Sequence, residues 1–249
     1  MWNRVARLLA VAFGALAIAW SAEVIPLHRI GQPLANTADA ILSGEIFDIA
    51  RLHALMDRLD KEPPRILEAS GLDGVALIRM SLLEQQLKSP GRAVSISDYD
   101  KARLDVGAAL ARSPTNAYMW LSAFGLKRLR GDPAADDLKL LRMSYRLGPN
   151  EGWIAVRRSP LSIAAFASLP QDLQEAALQE FVGLVGSGLR DDAANILAGP
   201  GWPIRDQLLS RLINLDEDSR RQFANVLAAK DLEGVVVPGL QPRRRDSWH

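Results

Sequence analysis

The chain has 249 residues, 48% of them apolar and 24% charged, a balance that belongs to a globular chain rather than a disordered one. Its formal net charge is +1, so no global field pulls it towards nucleic acid or acidic substrates. It has no cysteine, which excludes disulfides, thiolate chemistry and Cys-based metal sites. Leu and Ala dominate and β-branched runs are scarce, so helices are expected throughout.

Arg4 and Arg7 precede an apolar run from Leu8 to Trp20. A positive flank before such a run reads as a secretory signal or a single membrane anchor. Residues 5–22 approach the length of a membrane helix if Arg4 and Arg7 snorkel. Trp20 suits a membrane interface, and Ala17-Ile18-Ala19 offers a cleavage site, so retained anchor and cleaved signal both stand. Either reading exports the rest of the chain, because the two arginines hold the N-terminus inside. The expected address is a bacterial inner membrane with the C-terminal part in the periplasm, or the periplasm itself after cleavage.

Residues 24–35 contain two prolines and a glycine and read as a linker. A short helix capped by Asn36 or Thr37 is expected to end at Ser43-Gly44. A better helix runs from Glu45 to Leu59, with Leu52, Leu55, Met56 and Leu59 on one face. Lys61 to Pro64 breaks it. Leu72 to Leu87 is amphipathic, with Leu72, Ala76, Met80, Leu83 and Leu87 along one stripe. A further helix spans Asp98 to Ala111.

The stretch from Asp98 to Trp153 carries the clearest organisation. Pro114 and Pro149 are 35 apart, and Trp120 and Trp153 are 33 apart. Helical-hairpin repeats have periods near 34 residues. Ser113 is expected to cap a helix with Pro114 at its first position. Trp120, Leu121 and Phe124 form an apolar patch on it. Gly131-Asp132-Pro133 turns the chain into a second helix, on which Leu138, Leu141 and Tyr145 share a face. Gly148 is expected as a left-handed C-cap before Pro149.

This stretch resembles a tetratricopeptide repeat, with Trp120 at the early aromatic position and Pro149 at the closing proline. Phe124 stands where that family prefers glycine. The resemblance covers about one unit and implies an α-solenoid that binds proteins, with no catalytic residues. A short N-terminal anchor followed by Asn116-Ala117-Tyr118-Met119-Trp120 and Leu147-Gly148-Pro149 is also similar to accessory proteins of bacterial surface-polysaccharide synthesis and export.

After Trp153 the expected helices are Ile154–Arg158, broken at Ser159-Pro160, then Leu161–Ser168 and Gln171–Val185. A short helix ends at Ala198. Gly199 to Pro203 forms a rigid loop. Ile204–Leu215 and Asp216–Ala229 make a last hairpin. Val235-Val236-Val237-Pro238 is the one β-leaning stretch, and the tail from Gln241 is polar. The expected architecture is all-α: an N-terminal membrane helix or signal (1–23), a linker (24–35), an irregular α-solenoid of hairpins (36–233) and a tail (234–249).

Candidate chemistry is sparse. His28, His53 and His249 lie far apart without a metal-ligand spacing, so no metal or cofactor is expected. The carboxylate pairs at 136–137, 191–192 and 216–218 fall at helix starts, where caps and dipole partners explain them. No Gly-x-Ser-x-Gly turn or phosphate loop is present.

From Lys127 to Arg158 there are eight basic residues against four acidic ones. Lys139, Arg142 and Arg146 share one helix face, and Arg157 and Arg158 follow. They read as a solvated face or as a docking strip for an acidic protein, an anionic glycan or lipid headgroups. Trp120 and Trp153 read as packing between hairpins or, if exposed, as platforms for sugar rings. The expected function is a non-catalytic scaffold for protein partners in the envelope. The alternatives are a lyase or lytic transglycosylase on a helical scaffold, marked by a desolvated acid in a deep pocket, and a glycan-binding module.

Overall fold

A computed structural model describes residues 2–42, 48–61, 69–88, 94–131, 136–232 and 234–240; in the first helix, side chains are described for 10–21 and 33–41. Among these residues there are eleven α-helices, three short 3-10 turns and no strand, so the chain is all-α. It divides into two compact units, 1–115 and 116–249. The boundary falls inside the span expected to be one repeat domain.

The first unit holds α1 (Trp2–Leu42), α2 (Ile49–Lys61), α3 (Ala69–Lys88) and α4 (Ile96–Arg112). Helix α1 is unbroken and roughly 60 Å long at 1.5 Å per residue. It runs through the stretch read as a linker. Pro26 and Pro33 each remove one backbone donor, but the bonds on either side carry the helix across.

Val11, Phe13, Leu16, Ile18 and Trp20 on α1 are 69–76% exposed. Among the described residues no helix is long and apolar enough to cross a membrane. Residues 5–22 are helical.

Further along, Leu34 and Ala38 are buried, and Leu34 joins Leu52, Met56, Val75, Ile78 and Leu82 in one apolar cluster. The α1–α3 crossing is tight at Gly74. A Cβ there would come within 2.8 Å of the Leu34 backbone, so the position needs glycine. Helix α4 begins earlier than expected because Ser95 accepts a hydrogen bond from the Asp98 amide at 3.0 Å.

The second unit holds α5 (Ala117–Arg128), α6 (Leu138–Leu147), α7 (Gly152–Ala164), α8 (Gln171–Gly186), α9 (Arg190–Ala198), α10 (Arg205–Arg211) and α11 (Glu217–Ala229). Helices α5, α7, α9 and α11 are successive neighbours, α6 and α8 pair with them, and α10 packs on α8. Hairpins start at Ala117, Gly152 and Arg190, 35 and 38 residues apart. Phe166, Leu178, Phe181, Leu184, Leu197, Leu208 and Phe223 fill the core, with Phe181 edge-on to Phe223 at 6.1 Å.

Several local expectations are corrected here. Asn116, not Ser113, caps α5, accepting from the Tyr118 and Met119 amides at 3.1 and 3.3 Å; Pro114 lies in the preceding turn. The expected helix start at Asp132-Pro133 lies outside the described residues. Helix α7 does not break at Pro160, because Arg158, Ser159 and Ser162 are all buried and tie the helix to its neighbours. One lost backbone bond is outweighed by those contacts.

Gly148 is not left-handed either: its φ is −135°. It is needed for space, since a Cβ there would meet Ala117 Cβ at 2.8 Å. The segment 234–240 forms no strand, although Val237 is buried.

Candidate functional site

Helix α8 carries one carboxylate on its apolar stripe. Leu173, Ala177 and Leu184 are buried, and Glu180 lies between the last two at helical spacing. Its side chain is 5% exposed. Its partner is Arg158 on α7, which is fully buried. Nε of Arg158 donates to Glu180 Oε2 at 2.8 Å, and Nη2 donates to the same oxygen. Ser159 Oγ donates to Oε1 at 3.0 Å, and the Tyr145 hydroxyl reaches Oε1 at 3.3 Å.

The same guanidinium finishes helix α6. Nη1 donates to the Ser144 carbonyl at 2.9 Å, and Nη2 donates to the Gly148 carbonyl at 3.0 Å. A cation at a helix C-terminus satisfies orphan carbonyls and complements the dipole. The Tyr145 ring lies 4.1 Å below the guanidinium carbon. Arg158 and Glu180 thus clasp α6, α7 and α8 together.

Burial outweighs the Arg158 guanidinium and the Ser159 and Tyr145 hydroxyls, and it leaves the Glu180 carboxyl raised. Four donors on two oxygens favour the ionised form. Burial, then the Glu180 charge, raises the Tyr145 phenol as well. Both oxygens of Glu180 are taken by side chains of α6 and α7.

No protein-family model, curated protein or solved structure matches this chain. The reading of the site therefore rests on its geometry.

Glu180 and Tyr145 form part of the wall of a groove of about 970 Å³ in the second unit. Pro149 and Asn150 from the α6–α7 turn, Trp153 on α7 and Gln179 on α8 also line it, with small and apolar residues of α7 and α8 between them. Trp153 is half-buried and packs at 5.3 Å against Tyr118 of α5.

The basic strip is only partly assembled. Arg158 is no surface cation at all; a charge this deep requires a partner, and Glu180 supplies it. Arg157 donates to the Trp153 carbonyl at 2.9 Å and stands 6.0 Å from that ring. Lys139 pairs with Asp136 at 2.7 Å, and Arg142 pairs with Asp172 of α8 at 2.8 Å. Both pairs are exposed, where such contacts contribute little. Arg146 is exposed on the same helix.

Among the repeat residues, Phe124 is fully buried, Trp120 is half-buried, and Pro114 and Pro149 are exposed.

A second ionic cluster, in the first unit, also escaped the sequence reading. Arg79 of α3 bonds Asp60 of α2 at 2.7 Å and Asp105 of α4, and Lys101 bonds Asp60 at 2.6 Å. Burial pushes Asp60 up, but the two cations outweigh it and leave its carboxyl lowered. Asp105 lies deeper, and burial keeps it raised against the pull of Arg79. This cluster ties three helices as the clasp does.

Proposed function

We propose that the chain is a non-catalytic adaptor of the bacterial cell envelope, held at the inner membrane by residues 5–22 and projecting its two helical units into the periplasm to bind protein partners. The hairpin spacing in the second unit supports the likeness to tetratricopeptide arrays, whose habit is protein binding. The similarity to accessory proteins of surface-polysaccharide export supports a role beside that machinery.

The observation that carries the reading is the state of Glu180. It is the desolvated acid that an enzyme on a helical scaffold would require, and it stands in a groove wall. Yet it is consumed by Arg158, Ser159 and Tyr145. A general acid must hold a proton at working pH and reach its substrate. A lyase or lytic transglycosylase built on Glu180 is the competing reading, and its position in the groove is what favours it.

The anchor is supported by Arg4 and Arg7 before the apolar run and by the large apolar side chains from Val11 to Trp20, exposed around the helix. An exposed apolar surface of that extent marks an interaction site, here with lipid.

The test is envelope fractionation with protease added to spheroplasts. The expected result is a chain that stays in the membrane pellet after a carbonate wash, loses its helical units to external protease, and brings protein partners with it when extracted in detergent. Recovery in the soluble periplasm with a new N-terminus near Trp20 would make residues 5–22 a cleaved signal. A purified chain that cuts a glycan would replace the adaptor with an enzyme.

A further inference from the structure

We infer that the groove beside Trp153 binds a neutral oligosaccharide chain. The inference rests on the reading above, that this groove binds without reacting.

The lining chooses the ligand. Trp153 offers an apolar aromatic surface, backed by Tyr118 at 5.3 Å, with the Arg157 guanidinium carbon 6.0 Å from the ring centre. A platform fixed in advance costs little ordering on binding. Aromatic faces suit the C–H side of a sugar ring, which is apolar while its rim is hydroxylated. Asn150 and Gln179 line the same groove, and the Gln179 amide donates one hydrogen bond to Glu175 at 3.0 Å. Each amide both donates and accepts, which matches a hydroxyl, itself donor and acceptor.

Charge narrows the class. Glu180 is the one carboxylate of the lining, and Arg158 neutralises it from behind. Among the described residues no cation is part of the lining; the nearby Arg157 guanidinium, 6.0 Å from the Trp153 ring, donates to the Trp153 carbonyl, and an acidic chain would face the Glu180 carboxylate. This differs from the anionic glycan that the basic strip invites. Size sets the length: about 970 Å³ lies at the upper end of ligand pockets, room for several sugar units rather than one. A peptide strand is less suited, because among the described residues no sheet edge is present to pair with its backbone.

The full chain in detergent micelles is titrated with long neutral gluco-, galacto- and N-acetylated oligosaccharides, with uronic-acid chains and with a peptide library. Ligand-observed NMR reads binding, and mass spectrometry reads whether the ligand stays intact. The expected result is binding of a neutral chain that is insensitive to salt, weakened about tenfold or more in Trp153→Ala as the loss of an aromatic anchor. Asn150→Ala lies in an exposed turn and tests the same groove should Trp153→Ala fold poorly; several-fold weakening is expected there.

Three results would overturn the inference: no neutral oligosaccharide binds, binding survives both substitutions unchanged, or only acidic chains or peptides bind. Cleavage of a bound neutral chain would keep the occupant and remove the non-catalytic reading, so the two failures are distinguishable.

Discussion

Arg158→Ala is expected to cost about 3–5 kcal/mol, because it leaves the Glu180 carboxylate buried without its counter-charge. The loss also strips the donors from the Ser144 and Gly148 carbonyls and so frays the end of α6. Glu180→Ala is expected to cost a similar amount by leaving the Arg158 guanidinium alone in the core. The informative variant is the double one, Arg158→Met with Glu180→Leu. Removing both charges removes both desolvation penalties, so it should recover much of what either single change loses. Urea unfolding followed by circular dichroism measures all three. Single variants that unfold at the parent's midpoint would show that the clasp does not hold these helices.

Phe124→Ala is the second large effect, about 3–5 kcal/mol for truncating a buried aromatic side chain. Phe124 is fully buried between the hairpin helices of the second unit. Trp120 was the residue that repeat spacing favoured for this role, but it is half-buried, so Trp120→Ala should cost clearly less. Paired melting curves of the two variants test the order. A larger loss at Trp120 would contradict the burial of Phe124.

The comparison between Trp120 and Phe124 shows what periodicity can reach. Both lie on one helix, and the sequence identifies the apolar patch that contains them. Which of the two turns inward depends on where α6 and α7 approach, and that is set by contacts distant in sequence. Hairpins, the α8 helix and the cap at Asp216 were legible for the opposite reason, since local signals determine them. The sequence offers Asp216 or Asp218 as this cap, and Asp216 takes the role, accepting from the Ser219 amide at 2.8 Å.

Local rules misled where tertiary contacts overrode them. Pro160 looked like a break, but Arg158 and Ser159 are anchored to Glu180 and Ser162 bonds back onto its own helix, so α7 runs on. Residues 24–35 looked like a linker because of their prolines, yet α1 is continuous.

Arg158 was read as one of a surface strip because it follows Arg157 in a basic stretch. The contrary signal was present: it stands four residues after Ile154, on the buried face of the helix. Glu180 carried the same signal on the stripe of Leu173, Ala177 and Leu184. A single charge on an apolar stripe asks for a buried partner, and each of these two residues answers the other. What the sequence does not show is their meeting, since they are 22 residues apart on different helices. Arg79 with Asp60 and Asp105 repeats the lesson in the first unit.

The central claim is that Glu180 is a structural carboxylate and the groove a place of binding. Carbon-13 NMR of Glu180, assigned through the Glu180→Gln variant, tests it most directly by reading the carboxyl shift at neutral pH. The account predicts the shift of an ionised carboxylate, because Arg158, Ser159 and Tyr145 place donors on both oxygens of a group that burial raises. A protonated carboxyl at neutral pH would mark Glu180 as an acid poised for chemistry and contradict the adaptor.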